Sequence, residues 1–358
     1  MPSLKEIKGR INSISSTLAI TSAMKMVAAA KLQKAQMAIQ NMLPYERRLY
    51  SILLDLMGAM NISAAASEDG SVRGSGSAER GFDQSGDRLS LSNRHDLAGM
   101  DGAYSLMAQR EVRKVAIVAF ASNSSLCGAF NSNVIREATA VINEYRASGL
   151  GDADITVYSV GRKMAEAMKK LGFPSPADFT KMSDSPSYDA ASALAQELFD
   201  GFVSGRFDKV ELVYNHYKST SSQPTTRQTY LPLSLADATA DIQVGKITDS
   251  ASESDTNRGA EPVGAPVVRQ GSPTTEDLIV EPSKEELIAT LLPKVVRLRV
   301  FTTLLDSTAA EHAARTVAMQ LATDNGNDLL QELTLEYNKG RQQKITSEIL
   351  DLVGGSMQ

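Results

Sequence analysis

The chain has 358 residues, 42% of them hydrophobic, and a formal net charge of -5, which allows more than one folding unit and argues against a general nucleic-acid binder. Its single cysteine, Cys127, excludes an intrachain disulfide framework, and the three histidines, His95, His216 and His312, are too far apart in sequence to suggest a metal cluster. No stretch approaches the roughly 20 apolar residues of a membrane-spanning helix, and Met1-Pro2 leads directly into a helical pattern without a presequence, so a bacterial-type cytoplasmic location is expected, although a processed organelle chain would look the same.

Two helix-start signals frame the chain: Pro2-Ser3-Leu4-Lys5-Glu6 and Pro282-Ser283-Lys284-Glu285-Glu286. In each, the Ser side chain is placed to accept from the backbone N–H three residues on, with Glu6 or Glu286 reaching back. From Ser3 to about Leu56, Leu4, Ile7, Ile11, Ile14, Leu18 and Thr21 alternate steps of three and four, the spacing of a coiled-coil seam. The stripe then turns small and sulfur-rich through Met24, Ala28, Leu32 and Ala35, and Pro44 predicts a kink.

Residues 61–110 lose all periodicity, as in Gly74-Ser75-Gly76-Ser77, and read as a flexible insertion. Residues 111–247 alternate strand and helix patterns: strands at 112–121, 155–160, 209–217 and 227–233, and helices at 131–147, 162–171 and 189–203. That alternation predicts a Rossmann-like α/β domain. Residues 248–281, with Asp249, Glu253, Asp255 and Glu261, read as a second, acidic insertion.

The last segment, 282–358, predicts a helix to about Val353, kinked at Pro293, with the stripe Val296, Val300, Thr303, Ser307, Ala310, Ala314, Val317, Leu321. Asn325-Gly326-Asn327 and Gly340 lower helix propensity, so a break at either is an alternative. The fold expected is therefore α/β, with a long antiparallel coiled coil of N- and C-terminal helices, 1–60 and 282–358, around a central domain. At about 1.5 Å per residue the helices reach roughly 80 and 105 Å. With Leu56 placed near Ser283, Leu4 falls opposite Leu335, and the segment from Glu336 onward overhangs as a single helix. Its apolar Ile345, Ile349, Leu352 and Val353 mark a partner site. Lys5, Lys8, Arg10, Lys25, Lys31 and Lys34 give the first helix a positive face suited to acidic partner elements, although a solvated helix surface would look the same.

Nothing along the chain assembles a reaction centre. The strand-to-helix segment 121–131 lies where α/β proteins often bind phosphate, yet it holds neither a Gly-x-Gly-x-x-Gly fingerprint nor a Gly-Lys-Ser/Thr loop. Ser122, Ser124 and Ser125 lack a nucleophile elbow, and Cys127 has no His or cation in its segment to activate it. No catalytic, cofactor-binding or metal-binding residue is expected. On the helical pattern alone, a coiled-coil scaffold or adaptor with an α/β module and no coupling role remains an open alternative.

Particular blocks then carry a resemblance: Ile20-Thr21-Ser22-Ala23-Met24-Lys25-Met26-Val27-Ala28-Ala29-Ala30-Lys31; Leu126-Cys127-Gly128 with Asn131; Ala313-Ala314-Arg315-Thr316-Val317-Ala318-Met319; Ala322-Thr323-Asp324-Asn325-Gly326; Tyr337-Asn338-Lys339; and Ile345-Thr346-Ser347-Glu348-Ile349. Their order and spread resemble the gamma subunit of the rotary F-type ATP synthase over nearly the whole chain outside the two insertions. The resemblance implies a non-catalytic central-stalk rotor that couples a membrane proton-driven c-ring to ATP synthesis in a hexamer of alpha and beta subunits, with epsilon as a further partner. It implies peripheral association with the cytoplasmic side of a bacterial inner membrane. It also implies contacts with beta at Met24, Lys25, Lys31, Lys34, Arg315, Arg341, Gln342 and Thr346, and an apolar bearing at Ile345, Ile349, Leu352 and Val353. The chain departs from the family pattern in its two insertions and at Asn123-Ser124, where an Asp-Arg pair is common, which puts a charged contact there in doubt.

Overall fold

The computed structural model describes residues 3–59, 106, 110–233, 281 and 283–355. Both expected insertions lie almost wholly outside these residues. The first helix, α1, is Leu4–Ala59, and the last, α6, is Lys284–Gly355. Each opens on its Ser signal: the Glu6 and Glu286 backbone N–H groups donate to the Ser3 and Ser283 hydroxyls, both at 3.2 Å. The Glu6 carboxylate meanwhile takes Arg10 at 2.9 Å, an exposed pair one turn along. Each helix runs through its proline, Pro44 or Pro293, without ending.

Between them lie β1 (Val115–Phe120), α2 (Phe130–Ala147), β2 (Ile155–Val160), α3 (Arg162–Lys170), α4 (Thr180–Asp184), α5 (Tyr188–Val203), β3 (Lys209–Asn215) and β4 (Thr225–Leu231). The sheet order is β2-β1-β3-β4, parallel except for the antiparallel β3–β4 edge pair. Strand β1 is buried on both faces, as its continuous apolar run requires. Its side chains alternate: Val115, Ile117 and Ala119 pack with Val134, Ile142, Met164 and Met168 of α2 and α3, while Ala116, Val118 and Phe120 face the other way. On that second face lie Leu194, Leu198 and Phe202 of α5, together with Leu49, Leu53 and Leu56 of α1 and Ile288, Leu292, Val296 and Val300 of α6. The lower coil is thus one layer of the domain itself.

One charge enters the α2 side of this core. Glu211, 1% exposed, accepts from the Tyr145 hydroxyl at 2.6 Å, from Arg227 at 2.7 and 3.1 Å, and pairs with Lys209 at 2.7 Å. Burial alone would push its carboxyl up, but the hydrogen bonds from Arg227, Lys209 and Tyr145 outweigh that and hold it below the ordinary carboxylate value. Arg227 also reaches Glu144, which ties the β4 edge to α2.

Neither glycine site breaks α6. A side chain at Gly326 would come within 2.6 Å of Leu18 Cδ2, and one at Gly340 within 3.1 Å of Leu4 Cδ2, so these glycines are notches that admit leucines of α1. Thr323 donates to the Thr21 hydroxyl at 3.2 Å in the same register. Leu4 therefore sits at Gly340 and not at Leu335, and the overhang begins near Arg341 instead of Glu336. The flush placement of Leu56 against Ser283 causes the error: Leu56 shares the core with Ile288, so the first turn of α6 projects past it. Leu321 is a second correction, being 58% exposed despite its place in the expected stripe. The stripe through Ala310 and Ala314 faces the α/β domain at Cys127 and Phe130, and Leu321 continues that face beyond the domain's reach. The buried or half-buried seam steps instead to Met319, Thr323, Gly326, Leu330, Leu333, Tyr337 and Gly340.

Candidate partner-binding surfaces of the shaft

Three surfaces carry the residues expected to matter. At the far end, Arg341, Gln342 and Thr346 are exposed, and the Thr346 hydroxyl donates back to the Gln342 carbonyl at 2.9 Å. Ile345, Ile349, Leu350, Leu352 and Val353 are exposed on the same segment, Leu352 at 74%. The stretch 341–355 thus extends past Gly340, where Leu4 of α1 meets α6, and carries these exposed apolar side chains.

Further down, Lys31 and Lys34 are exposed and point away from the seam made by Ala28, Leu32 and Ala35. Lys25 is half-buried because its ammonium donates to Gln320 Oε1 at 2.8 Å, bridging the two helices. Met24 is half-buried beside it, and Met26 and Val27 are exposed on the next face. The positive face expected of α1 is thus formed here by exposed Lys31 and Lys34, while Lys25 is tied across to α6.

The third surface is a junction. Arg315 is directed into the chain, donating to Glu311 Oε1 at 2.6 Å and to the Ser124 hydroxyl at 2.7 Å. Ser124 lies on the β1–α2 loop, which is held by its own polar side chains. Asn123 accepts from the Arg162 N–H at 2.8 Å and donates to the Thr180 carbonyl at 2.7 Å, and Ser122 bonds Asn131 at 3.0 Å. Gly161, with φ +95, lets β2 turn into α3 under this loop, since a Cβ there would lie 2.0 Å from the Ala121 carbonyl oxygen. Cys127 is buried against Ala310 and Phe130, and Gly128, at φ +59, faces α6, where a Cβ added to it would lie 3.8 Å from Ala318 Cβ. Asn123 and Ser124 therefore work inward, as ties between loop, α3, α4 and shaft.

Two titratable groups sit in this junction. Burial pushes the Glu311 carboxyl up, partly offset by Arg315. His312 is depressed to about 4, by burial first and by the Arg315 and Lys31 charges second, so its imidazole is neutral at ordinary pH. Its Nδ1 is buried without a hydrogen-bond partner among the described residues. Sequence reasoning singled out Arg315 but missed Glu311 and Ser124 as its partners. The Glu311–Arg315 spacing of four on a helix was the available signal.

The structure thus brings Met24, Lys25, Lys31 and Lys34 onto one stretch of α1, keeps Arg315 inside, and sets Arg341, Gln342 and Thr346 apart at the end of α6. Among the described residues no helix is long and apolar enough to cross a membrane.

The ATP synthase family model matches residues 3–357. The chain is 47% identical to the ATP synthase gamma chain of Phocaeicola vulgatus, and 46% identical to that of Bacteroides thetaiotaomicron, with 100% of each chain covered. It is 35% identical to the gamma chain of Flavobacterium psychrophilum, covering 99% of this chain and 98% of that one. Among solved structures, a chain of the Euglena gracilis mitochondrial ATP synthase (OSCP/F1/c-ring, rotational state 3) matches with a TM-score of 0.52 at 19% identity, covering 99% of this chain and 93% of that chain. That last likeness bears on the fold alone.

Proposed function

Because the chain belongs to the ATP synthase gamma family and forms the non-catalytic central stalk of that complex, we propose that its coil turns inside a hexamer of alpha and beta subunits while its α/β domain engages epsilon and the membrane c-ring. The observation that carries this reading is the overhang of α6: a single helix with exposed Ile345, Ile349, Leu350, Leu352 and Val353 at one end of a two-helix shaft, and a layered domain at the other. Rotation changes which face of an asymmetric shaft each beta subunit meets. Differential contact of this kind is what shifts a partner among states of different nucleotide affinity.

Within that reading, Arg341, Gln342 and Thr346 make polar contacts with beta near the tip, and Ile345, Ile349, Leu352 and Val353 turn in an apolar sleeve. Met24, Lys25, Lys31 and Lys34 face acidic elements of beta, for which their charge is suited. Arg315 would join them only by exchanging Ser124 or Glu311 for the partner. Residues 1–60 and 282–358 form the shaft, 111–247 the base, and 61–110 and 248–281 are insertions, of which deleting Ser67 to Arg94 should leave assembly measurable. The subunit associates peripherally with the cytoplasmic side of a bacterial inner membrane through the complex.

The direct test is co-assembly with alpha and beta, followed by ATPase and coupled-synthesis assays on Arg341→Ala. Synthesis should fall by about tenfold, the equivalent of one lost charge-assisted hydrogen bond, while the variant keeps its folding temperature. Normal coupling would remove Arg341 from the contact set, and failure to stabilise an active hexamer would remove the rotor reading altogether.

A further inference from the structure

The turn between β3 and β4, residues 216–224, touches both long helices where they emerge from the α/β domain. His216 Nδ1 lies 2.6 Å from Asp306 Oδ2, and the Tyr217 backbone N–H donates to Asp306 Oδ1 at 2.9 Å, so one carboxylate of α6 is held by two successive residues of the turn. On the other side, Gln36 of α1 donates from Nε2 to the Tyr217 hydroxyl at 2.6 Å. Tyr217 packs against two apolar clusters, one of Leu32 and Ala35 of α1 with Ala309 and Ala313 of α6, the other of Cys127, Phe130 and Ala310. A single side chain therefore meets α1, α6 and the β1–α2 loop.

The turn is braced to carry load. The His216 N–H donates to the Pro224 carbonyl at 2.9 Å, and the Gln223 amide caps the Ser219 and Thr220 carbonyls at 3.0 and 2.7 Å. At its root, buried Asn215 donates to the Phe130 carbonyl at 3.0 Å and accepts from Thr225 at 2.7 Å. Below this level the coil is locked into the domain by Leu49 to Leu56 and Ile288 to Leu304. Above the Arg315–Ser124 junction and Gly128, the helices are in contact chiefly with each other. Twist applied to the upper coil is therefore delivered at this boundary, and a tie to one helix alone would leave the other free to slide.

We infer that the β3–β4 turn is a collar that fixes the rotational setting of the coil on its base, with Tyr217 and Asp306 as positioning residues for torque transfer. This rests on the central-stalk role, and the test separates the two. Complexes are fixed by the alpha/beta head, a probe is attached to the exposed end of α3, and angular fluctuations are recorded while the motor is paused. Tyr217→Phe combined with Asp306→Ala should widen the angular variance on the order of twofold, with ATP hydrolysis by the head little changed and Asp306→Glu restoring most of the stiffness. Unchanged variance in assembled complexes overturns the collar. Should the double variant not assemble, Gln36→Leu, which removes only the donor to the Tyr217 hydroxyl, must widen the variance in the same direction; if it does not, the collar is equally overturned. Absence of ATP-driven rotation with the unsubstituted chain would count against the rotor reading instead.

Discussion

The lower and upper halves of the coil are the same two helices solving different problems. Below Leu304, α6 presents Ile288, Leu292, Val295, Val296 and Val300 to a sheet and to α1 at once, and nearly every one is fully buried. Above Met319 the same helix offers glycines, threonines and half-exposed leucines to α1 alone, while Leu321, Leu329 and Leu335 face outward. Large interlocking side chains specify one arrangement and lose stability steeply when trimmed. A seam of small residues brings backbones close at little cost per contact and leaves the outer surface for other chains.

The strongest way to break this contrast is Leu292→Ala in the lower coil, which should lower the unfolding free energy of the purified chain by roughly 2–5 kcal/mol in denaturant melts. A loss below 1 kcal/mol would mean the lower coil is no more committed than the upper. Next comes the junction between the halves. His312 is neutral in the folded chain down to about 4, against an ordinary 6.5, so the unfolded chain binds a proton across that window and the folded one does not. Stability should therefore fall as pH drops from 6.5 towards 4, by roughly 1–2 kcal/mol after allowance for solvent screening, and His312→Leu should flatten that part of the profile. The Glu211 network runs in the same direction at lower pH. Its depressed carboxyl contributes stability above the ordinary carboxylate range that is lost as the group protonates, so Glu211→Gln should lower stability at neutral pH and flatten the acid limb.

A smaller effect probes the seam. Gly326→Ala gains about 1 kcal/mol of helix propensity and loses a similar amount against Leu18, so melts should place it near neutral. In a Leu18→Ala background the same change should stabilise. Smallest of all, Leu352→Ser should alter the melt of the isolated chain by less than about 0.5 kcal/mol, as for an exposed site, while slowing the assembled motor. A large stability loss there would show that the tip is covered within the chain itself.

Much of this was legible in the sequence, for identifiable reasons. Strand 155–160 and the helices starting near 131, 162 and 189 follow from period and turn residues, which act locally. The strands are shorter than expected at both Val112, which is an exposed apolar residue ahead of β1, and Tyr217, which packs on the shaft. The register of the coil was not legible, since it depends on where Leu56 meets Ile288 inside a core assembled from eight elements. Gly326 and Gly340 were readable as weak helix formers but not as notches, because the leucines that fill them lie more than 300 residues away in the chain. The tip and the lysine face could be picked out from composition and resemblance, whereas the inward turn of Arg315 depended on Ser124, a residue flagged only as a departure.

The point where α1 runs out near Gly340 also sets the cross-section of the molecule. Two helices packed at 8–10 Å between axes make an oblong profile with a broad and a narrow side, whereas one helix of about 10–12 Å is close to round. Beyond Arg341 the molecule tapers to that round profile for about 22 Å. A round spindle end looks alike from every direction and bears evenly on what surrounds it. Asymmetry of cross-section is confined to the oblong section beneath, so the place where the first helix stops divides a flattened shaft from a round tip whose only marks of direction are its side chains.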